Sequence, residues 1–459
     1  MPRRPRPHHT PATEVHVNPG VFAEEWLSVP VDRLPPKGIA GDAAYQIVHD
    51  EAMLDGNARL NMATFVTTWM DEYADKVYAL SYDKNMIDKD EYPSTAAIEA
   101  RCARMVAGLW NAPGETVGVS TIGSSEACMM GGLAFLKRWK AARKAAGKPT
   151  DSPNLIMSSA VQVVWERFCR YWDVEPRYAN ITLDSPVLTP ARMLELVDEN
   201  TIGVVGILGV TYTGGYEPIE ELAAALDDLQ ARTGLDVPLH VDGASGGMIA
   251  PFLQPDLKWD FRLPRVHSIN TSGHKYGLVY PGLGWIVWRS EDLVPDEMVF
   301  KVSYLGGDMP TLGINFSRPA AQVLLQYYAF LRLGFHGYRT VQSVSQKVAM
   351  YLSSAIGAMP EFELLSDGSE TPVFAWRLAD DFTGTWTLPE LSNVMRYHGW
   401  QVPAYPMPEA ITDVEVMRIV VRNGVGMDLA SNLLEDLRTS IDELNRGAKP
   451  VSNTSGFHH

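Results

Sequence analysis

The segment around Lys275 has the residue types that could support covalent chemistry at a lysine amine. Lys275 follows an apolar stretch and ends the run Ser272-Gly273-His274-Lys275. A partly buried lysine binds its proton less tightly, and its neutral amine can then attack an aldehyde. Most lysines are solvated surface charges, so this segment alone is a weak signal of such a site.

An aspartate follows another apolar segment upstream. Asp242 comes directly after Leu239-His240-Val241 and before a turn rich in glycine and serine. An aspartate at the carboxyl end of a parallel strand lies where α/β proteins bind ligands. There it can hold a pyridine nitrogen in its protonated form, which makes the ring an electron sink. The alternative interpretation is an aspartate that caps the next turn.

Small hydroxyl residues open a predicted helix further upstream. Ser124 and Ser125 precede a helical pattern that extends over residues 127–144. The free N–H groups and the dipole of a helix N-terminus favour phosphate, although a serine there also serves as an ordinary N-cap. Together the three segments would anchor the phosphate, the ring nitrogen and the aldehyde of pyridoxal 5'-phosphate.

The elements that must position these residues alternate along the middle of the chain. Short apolar runs predict strands at 154–157, 203–208 and 238–241, and helical patterns cover 127–144 and 219–232. Short apolar strands separated by helices indicate a mostly parallel sheet covered on both faces. We therefore expect an α/β protein with four parts: an N-terminal arm and helical segment (1–60), a large cofactor-binding domain (61–335), a smaller α+β domain (336–448) and a flexible tail (449–459).

The composition disfavours several classes of partner. Lys and Arg number 39 against 55 Asp and Glu, a net charge of −16, which disfavours nucleic acid. No segment reaches the roughly 18 to 20 apolar residues that span a bilayer, and the N-terminus lacks the apolar core of a secretory signal. Three cysteines without a CxxC pair suit a reducing compartment. We expect a cytoplasmic protein with no metal site and no stable membrane association.

The chemical motifs resemble those of the group II pyridoxal-phosphate-dependent decarboxylases. The general likeness rests on residues 123–127, 240–242 with 244–247, and 272–275. A narrower likeness, to glutamate decarboxylases of the bacterial and plant type, rests on residues 54–59, 61–65, 87–93, 209–214 and 314–319. It implies the fold type I architecture of aspartate aminotransferase. The implied reaction is decarboxylation of L-glutamate to 4-aminobutanoate and carbon dioxide, which consumes a proton and suits a role in pH homeostasis.

The resemblance implies roles for individual residues. Lys275 would bind the cofactor as a Schiff base, Asp242 would pair with the ring nitrogen, and Tyr304 would protonate the substrate carbanion. The implied cofactor contacts are Ser124, Ser125, Gln162, Thr211, Asp242, Ser245, His274, Lys275 and, from a neighbouring subunit, Ser317. The implied contacts to the substrate's distal carboxylate are Thr64, Phe65, Asn85 and Asp88, and Arg418 would bind the carboxylate on the α-carbon.

Regulation and assembly depend on the chain ends and on the subunit interface. The resemblance implies at least a homodimer with a shared active site, and it leaves a hexamer open although the proline-rich N-terminus is a poor helix. His459 matches a histidine that plugs the active site at neutral pH, and no calmodulin-binding tail follows residue 440. Gly243 stands where an alanine methyl is expected to pack on the cofactor ring.

Two alternative functions remain at this point. The enzyme could decarboxylate aspartate or an aromatic amino acid, although residues 64–65 and 85–88 favour glutamate. A non-catalytic protein could also keep the same fold, although the presence of Lys275, Asp242 and His274 together argues against it.

Overall fold

The computed structural model describes residues 14–17, 27–30, 32–302 and 309–447. Backbone contacts divide the chain into residues 1–58 and residues 59–459. In the first unit, strands β1 (Glu14–Val17) and β2 (Leu27–Pro30) pair in antiparallel fashion. Helix α1 (Gly41–Ala52) follows them, where the sequence also turns helical.

A large sheet forms the centre of the second unit. In the part of the chain that is described, it has seven strands: β3 (Val117–Thr121), β4 (Asn154–Ser158), β5 (Glu175–Ala179), β6 (Thr201–Ile207), β7 (Leu239–Asp242), β8 (Val266–Thr271) and β9 (Gly284–Trp288). Their order is β3-β9-β8-β7-β6-β4-β5. The five strands from β8 to β5 are parallel, and β9 runs antiparallel to both of its neighbours. The predicted mostly parallel α/β fold is confirmed.

Helices surround and connect these strands. The ones that precede or interleave with the large sheet are α2 (Glu72–Ala79), α3 (Pro93–Leu109), α4 (Ser124–Ala145), α5 (Val163–Tyr171), α6 (Pro190–Leu196), α7 (Ile219–Thr233) and α8 (Ala250–Leu253). Short 3-10 turns lie at Ala58–Leu60, Gly246–Met248, Glu291–Leu293 and Asp296–Met298. None of the described helices has the length and apolar character that crossing a bilayer requires.

The rest of the chain builds a second, smaller sheet. A hairpin of β10 (Phe300–Val302) and β11 (Met309–Thr311) leads to the long helix α9 (Ala321–Gly357), which is kinked at Gly334, where φ is 56°. The elements that follow are β12 (Phe362–Leu364), β13 (Val373–Leu378), α10 (Leu388–Tyr397), β14 (Ala404–Pro406), β15 (Glu415–Val420) and α11 (Met427–Asn445). The four strands form an antiparallel sheet in the order β12-β13-β15-β14.

The strand ends place the two expected cofactor anchors close to the same edge of the large sheet. Strand β7 ends at Asp242, as expected. Strand β8 ends at Thr271, so Lys275 lies in the turn beyond it and not at the strand end. Since β7 and β8 are parallel neighbours, both residues still lie at the carboxyl edge, where ligands bind in such sheets.

Close contact between α4 and the sheet requires glycine on β6. All seven residues of β6 are buried, and a Cβ built on Gly203 would lie 2.3 Å from the Phe135 ring of α4. This contact brings the helix against the sheet and so places the helix N-terminus near the strand ends.

We predict that Gly203→Ala lowers the free energy of unfolding by about 1–3 kcal/mol, because the added methyl overpacks this layer. The matched control is Gly108→Ala in α3, where an added Cβ meets nothing within 4 Å and helix propensity favours alanine. Thermal unfolding of both apoproteins measures the difference. Equal midpoints would contradict the proposed packing.

Candidate active site

A cavity of about 520 Å³ lies at the carboxyl edge of the large sheet. It collects side chains from segments that are far apart in the chain, including the ends of β6 and β7 and the turn after β8. Eight of the nine expected cofactor contacts line it: Ser124, Ser125, Gln162, Thr211, Asp242, Ser245, His274 and Lys275. The described residues contain no group of three His, Cys, Asp or Glu side chains that could hold a metal ion.

Asp242 is buried and surrounded by hydrogen-bond donors. Its Oδ2 accepts from Trp165 Nε1 at 2.9 Å and from Cys128 Sγ at 3.6 Å. Its Oδ1 accepts from Asn270 Nδ2 and from the Ala244 N–H, both at 3.1 Å. A buried carboxylate is costly unless donors stabilise its charge. These donors therefore hold a negative, fixed acceptor at the wall of the cavity, which suits a protonated ring nitrogen.

Lys275 is buried beside an aromatic ring. Burial lowers the pKa of its ammonium below the ordinary value, and the charge of Asp242 opposes part of that shift. Its Nζ lies 4.8 Å from the centre of the Phe65 ring. The Thr67 hydroxyl donates to the Lys275 carbonyl at 2.7 Å and holds the turn in place. The lysine therefore has the lowered proton affinity that a nucleophilic amine needs.

Another part of the cavity suits a phosphate. Ser124 and Ser125 are the first two residues of α4, so their N–H groups are at the positive end of its dipole. His274 accepts the Leu283 N–H at Nδ1, at 3.2 Å. Burial and, next, the Lys275 charge lower the pKa of His274 to about 4. The neutral ring therefore carries its proton on Nε2.

A buried hydroxyl in the cavity supports the fit of a polar ligand. Ser272 lines the cavity, and its Oγ has no hydrogen-bond partner among the described residues. Buried polar atoms are almost always paired in folded proteins, so a ligand oxygen is the expected partner. In the sequence, Ser272 carries no signal of its own beyond its place at the start of the run that ends in Lys275. This hydroxyl and the three anchors fit pyridoxal phosphate.

Arg418 is directed inward from β15. Its Nη1 donates to the Thr211 carbonyl at 2.5 Å and its Nη2 to the Ala63 carbonyl at 2.8 Å. The guanidinium carbon lies 4.8 Å from the centre of the Phe65 ring and 5.5 Å from that of Tyr405. Its buried Nε has no partner among the described residues. Arg418 therefore faces the interior and not solvent, although it does not itself line the cavity.

Other expected site residues lie outside this cavity. Ser317 and Asn85 are brought together, with Asn85 Nδ2 donating to Ser317 Oγ at 3.3 Å, but neither they nor Asp88 line it. Thr64, Phe65 and Arg418 do not line it either, although the Phe65 ring contacts both Lys275 and Arg418. Two more expectations, Tyr304 and His459, fall outside the described residues.

The expectation that a methyl group at position 243 would pack on the cofactor ring is wrong. A Cβ built on Gly243 would point at the Asn270 carbonyl oxygen, 2.9 Å away, and at the backbone of Gly247. The cavity is lined instead by the next residue, Ala244. The absence of a methyl group at residue 243 therefore removes no contact with the cofactor ring, because that position faces the sheet.

Glu126 is a positioning residue whose only signal in the sequence is its place in the motif at residues 123–127. It is buried, and its Oε1 accepts the N–H groups of Ile314 at 2.9 Å and Asn315 at 3.1 Å. Its Oε2 accepts the Ile122 N–H at 2.9 Å. Glu126 thus ties the loop after β11 to the start of α4, and both Ile314 and Asn315 line the cavity.

Comparisons with known proteins agree with this geometry. The family model described as the pyridoxal-dependent decarboxylase conserved domain matches residues 36–379. A glutamate decarboxylase of Aliivibrio fischeri is 47% identical over 442 residues, covering 94% of this chain and 95% of the relative. A glutamate decarboxylase beta of Listeria innocua is also 47% identical, covering 96% of each. The solved structure of a Lactobacillus brevis glutamate decarboxylase superimposes with a TM-score of 0.89 at 45% identity, covering 92% of this chain and 96% of that one.

We predict that Glu126→Gln loosens the loop at residues 314–315. The neutral amide carries no charge and has one accepting oxygen in place of two, so the charge-assisted bonds to Ile314, Asn315 and Ile122, each worth about 1.5–3 kcal/mol, are weakened and at least one of them is lost. Backbone hydrogen exchange in this loop should accelerate. Glu220→Gln, at an exposed side chain paired with Lys258, is the control. Unchanged protection at residues 314–315 would contradict the positioning role.

Proposed function

The chain belongs to the pyridoxal-dependent decarboxylase family, and we propose that it converts L-glutamate to 4-aminobutanoate and carbon dioxide. The observation that carries the proposal is the single cavity in which eight expected cofactor residues meet around a buried Lys275. The full-length likeness to glutamate decarboxylases supports the choice of substrate.

The cofactor of this family is pyridoxal 5'-phosphate, and we assign its contacts to the cavity residues. When bound, it supplies a conjugated ring that accepts the electrons left behind as the α-carboxylate departs. Lys275 provides the amine for covalent attachment at the aldehyde. Asp242 holds a proton on the ring nitrogen. Ser124, Ser125 and His274 hold the phosphate, with the Ser272 hydroxyl as a further donor.

Arg418 orients the substrate for loss of carbon dioxide. Its guanidinium contacts the rings of Phe65 and Tyr405 and donates to two backbone carbonyls. A guanidinium fixed in this way can bind the α-carboxylate with directed N–H groups. We assign Tyr304 as the group that returns a proton to the α-carbon. The overall reaction consumes one proton, which supports a role in pH homeostasis.

We propose that the active site is completed by a second copy of the chain. Ser317 and Asn85 contact each other but do not line the cavity of their own chain. In a homodimer they would reach the neighbouring cavity, Ser317 at the phosphate and Asn85, with Asp88, at the distal carboxylate. Thr64 and Phe65 complete the pocket for that carboxylate. Larger assemblies, such as a hexamer, are compatible with this unit.

We place the enzyme in the cytoplasm. The three cysteines are all buried free thiols, Cys102, Cys128 and Cys169, which is the usual state in a reducing compartment. The proposed partners are L-glutamate and a second copy of the chain.

We predict that Lys275→Ala abolishes the visible absorbance of covalently bound cofactor and lowers the rate of carbon dioxide release by at least about 10³-fold, because the activated amine is lost. Lys258→Ala, at an exposed lysine paired with Glu220, should leave both unchanged. A wild-type protein that shows the absorbance but releases no carbon dioxide from any amino acid would instead be a binding protein.

We predict that glutamate is the preferred substrate in a panel assayed for released carbon dioxide. Aspartate is shorter by one methylene, a difference worth about 10- to 200-fold in kcat/KM. Tyrosine lacks the distal carboxylate. If aspartate or tyrosine reacts as well as glutamate, the assignment of the substrate is wrong, while the assignment of the cofactor is unaffected.

A further inference from the structure

A buried histidine lies directly behind the cofactor cavity. His240 is on β7, two residues before Asp242, and its side chain has no exposed surface. Helix α4 covers it so closely that a Cβ on Gly131 would lie 2.7 Å from its Cε1 atom. The ring can therefore neither turn nor move toward the helix. It does not line the cavity, so it has no direct contact with a ligand there.

Both nitrogens of His240 are hydrogen bonded. Nε2 lies 2.7 Å from Asn270 Oδ1, and Nδ1 lies 2.7 Å from Ser268 Oγ. An amide oxygen only accepts, so Nε2 must carry a proton. Burial lowers the pKa of His240 to about 4, so the ring is neutral near pH 7 and Nδ1 accepts from the serine hydroxyl. The bond from Nε2 thus sets the orientation of the Asn270 amide.

The Asn270 amide connects two of the expected cofactor anchors, Asp242 and Ser124. Its Nδ2 donates to Asp242 Oδ1 at 3.1 Å and to Ser124 Oγ at 2.5 Å. Rotating the amide by half a turn would place its oxygen against the Asp242 carboxylate, which is unfavourable because neither atom can donate. His240 also contacts the second donor to Asp242, since its ring centre lies 5.2 Å from that of Trp165.

We propose that His240 is a positioning residue that acts through Asn270 to hold Asp242 and Ser124 in one fixed geometry. The ring-nitrogen anchor and the phosphate anchor are then set as a unit before the cofactor binds, so less ordering is needed on binding. This inference rests on the proposed function only in that Asp242 and Ser124 bind the cofactor.

A second histidine, His267, has a similar environment but no such connection to the cavity, and it serves as the comparison. His267 on β8 also packs near Phe135, and burial lowers its pKa to about 4 as well. The hydrogen bond of its ring goes to Arg138, at 3.1 Å, and among the described residues none joins it to Asn270 or Asp242. The two histidines thus share their strand environment and their neutral state, and they differ in their connection to the cavity.

Two amide substitutions at residue 240 separate the contacts of the ring. His240→Gln places an amide nitrogen near the position of Nε2 and keeps the bond to Asn270. His240→Asn is shorter by one methylene, reaches only the position of Nδ1 and loses that bond. Because both variants are polar and similar in size, a difference between them reports the bond to Asn270.

The readout is the dissociation constant of pyridoxal phosphate, titrated into each apoprotein. His240→Asn should raise it about 10-fold, the equivalent of one lost hydrogen bond, while His240→Gln stays within about threefold of wild type. His267→Asn should leave it unchanged. In an Asn270→Ala background, His240→Asn should have no further effect, because the route to Asp242 and Ser124 is already removed.

Three outcomes would overturn the inference: equal weakening by His240→Asn and His240→Gln, an undiminished effect of His240→Asn in the Asn270→Ala background, or an unchanged dissociation constant accompanied only by a lower apoprotein Tm. Circular dichroism confirms that each variant is folded. Because cofactor binding is measured without substrate, a failure of glutamate turnover would contradict the proposed substrate and leave this test intact.

Discussion

The buried negative charge of Asp242 is the constraint on which the rest of the site depends. A carboxylate with almost no exposure is stable only if its oxygens are supplied with donors. Here the donors come from four different parts of the chain: Cys128 from α4, Trp165 from α5, Asn270 from β8 and a backbone N–H from the turn after β7. The strand order of the sheet and the packing of its helices must therefore bring all of these donors to one side chain.

The same low-polarity environment determines the behaviour of Lys275. Burial lowers its affinity for a proton, while the neighbouring carboxylate raises it again. The Phe65 ring contacts both Lys275 and Arg418. A single aromatic side chain thus offers each of these basic groups a weak favourable interaction. The loop that carries Phe65 is in turn held by Thr67, which bonds to the Lys275 carbonyl.

Buried polar side chains in the cavity wall and behind it connect these parts. Glu126 joins the helix that would hold the phosphate to the loop at residues 314–315. The His240 and Asn270 pair joins the same helix start to Asp242. Networks of this kind are favourable only when every member is satisfied. These networks make the site more rigid than it would be without hydrogen bonds between its elements.

Much of this arrangement was predictable from the chain itself. Apolar runs of strand length separated by helical patterns predicted the parallel sheet, because only a sheet covered on both faces tolerates such strands. The residue types at Ser124, Asp242 and Lys275, together with the family motifs, predicted the cofactor site. These features are local in sequence, or follow from the rule that parallel strands end at one edge, so no knowledge of packing was needed.

Only the tertiary structure decided which side chains meet behind that edge. Residue type and strand pattern do not distinguish His240 from His267, since both lie in apolar strands. Only His240 bonds to a side chain that donates to Asp242. Likewise, Gly243 and Ala244 are adjacent in the chain, and the turn geometry alone determines that the second faces the cavity. The sequence thus determined the chemistry and the order of the elements, while the directions of side chains depended on contacts between segments more than a hundred residues apart, such as Ser124 with Asn270.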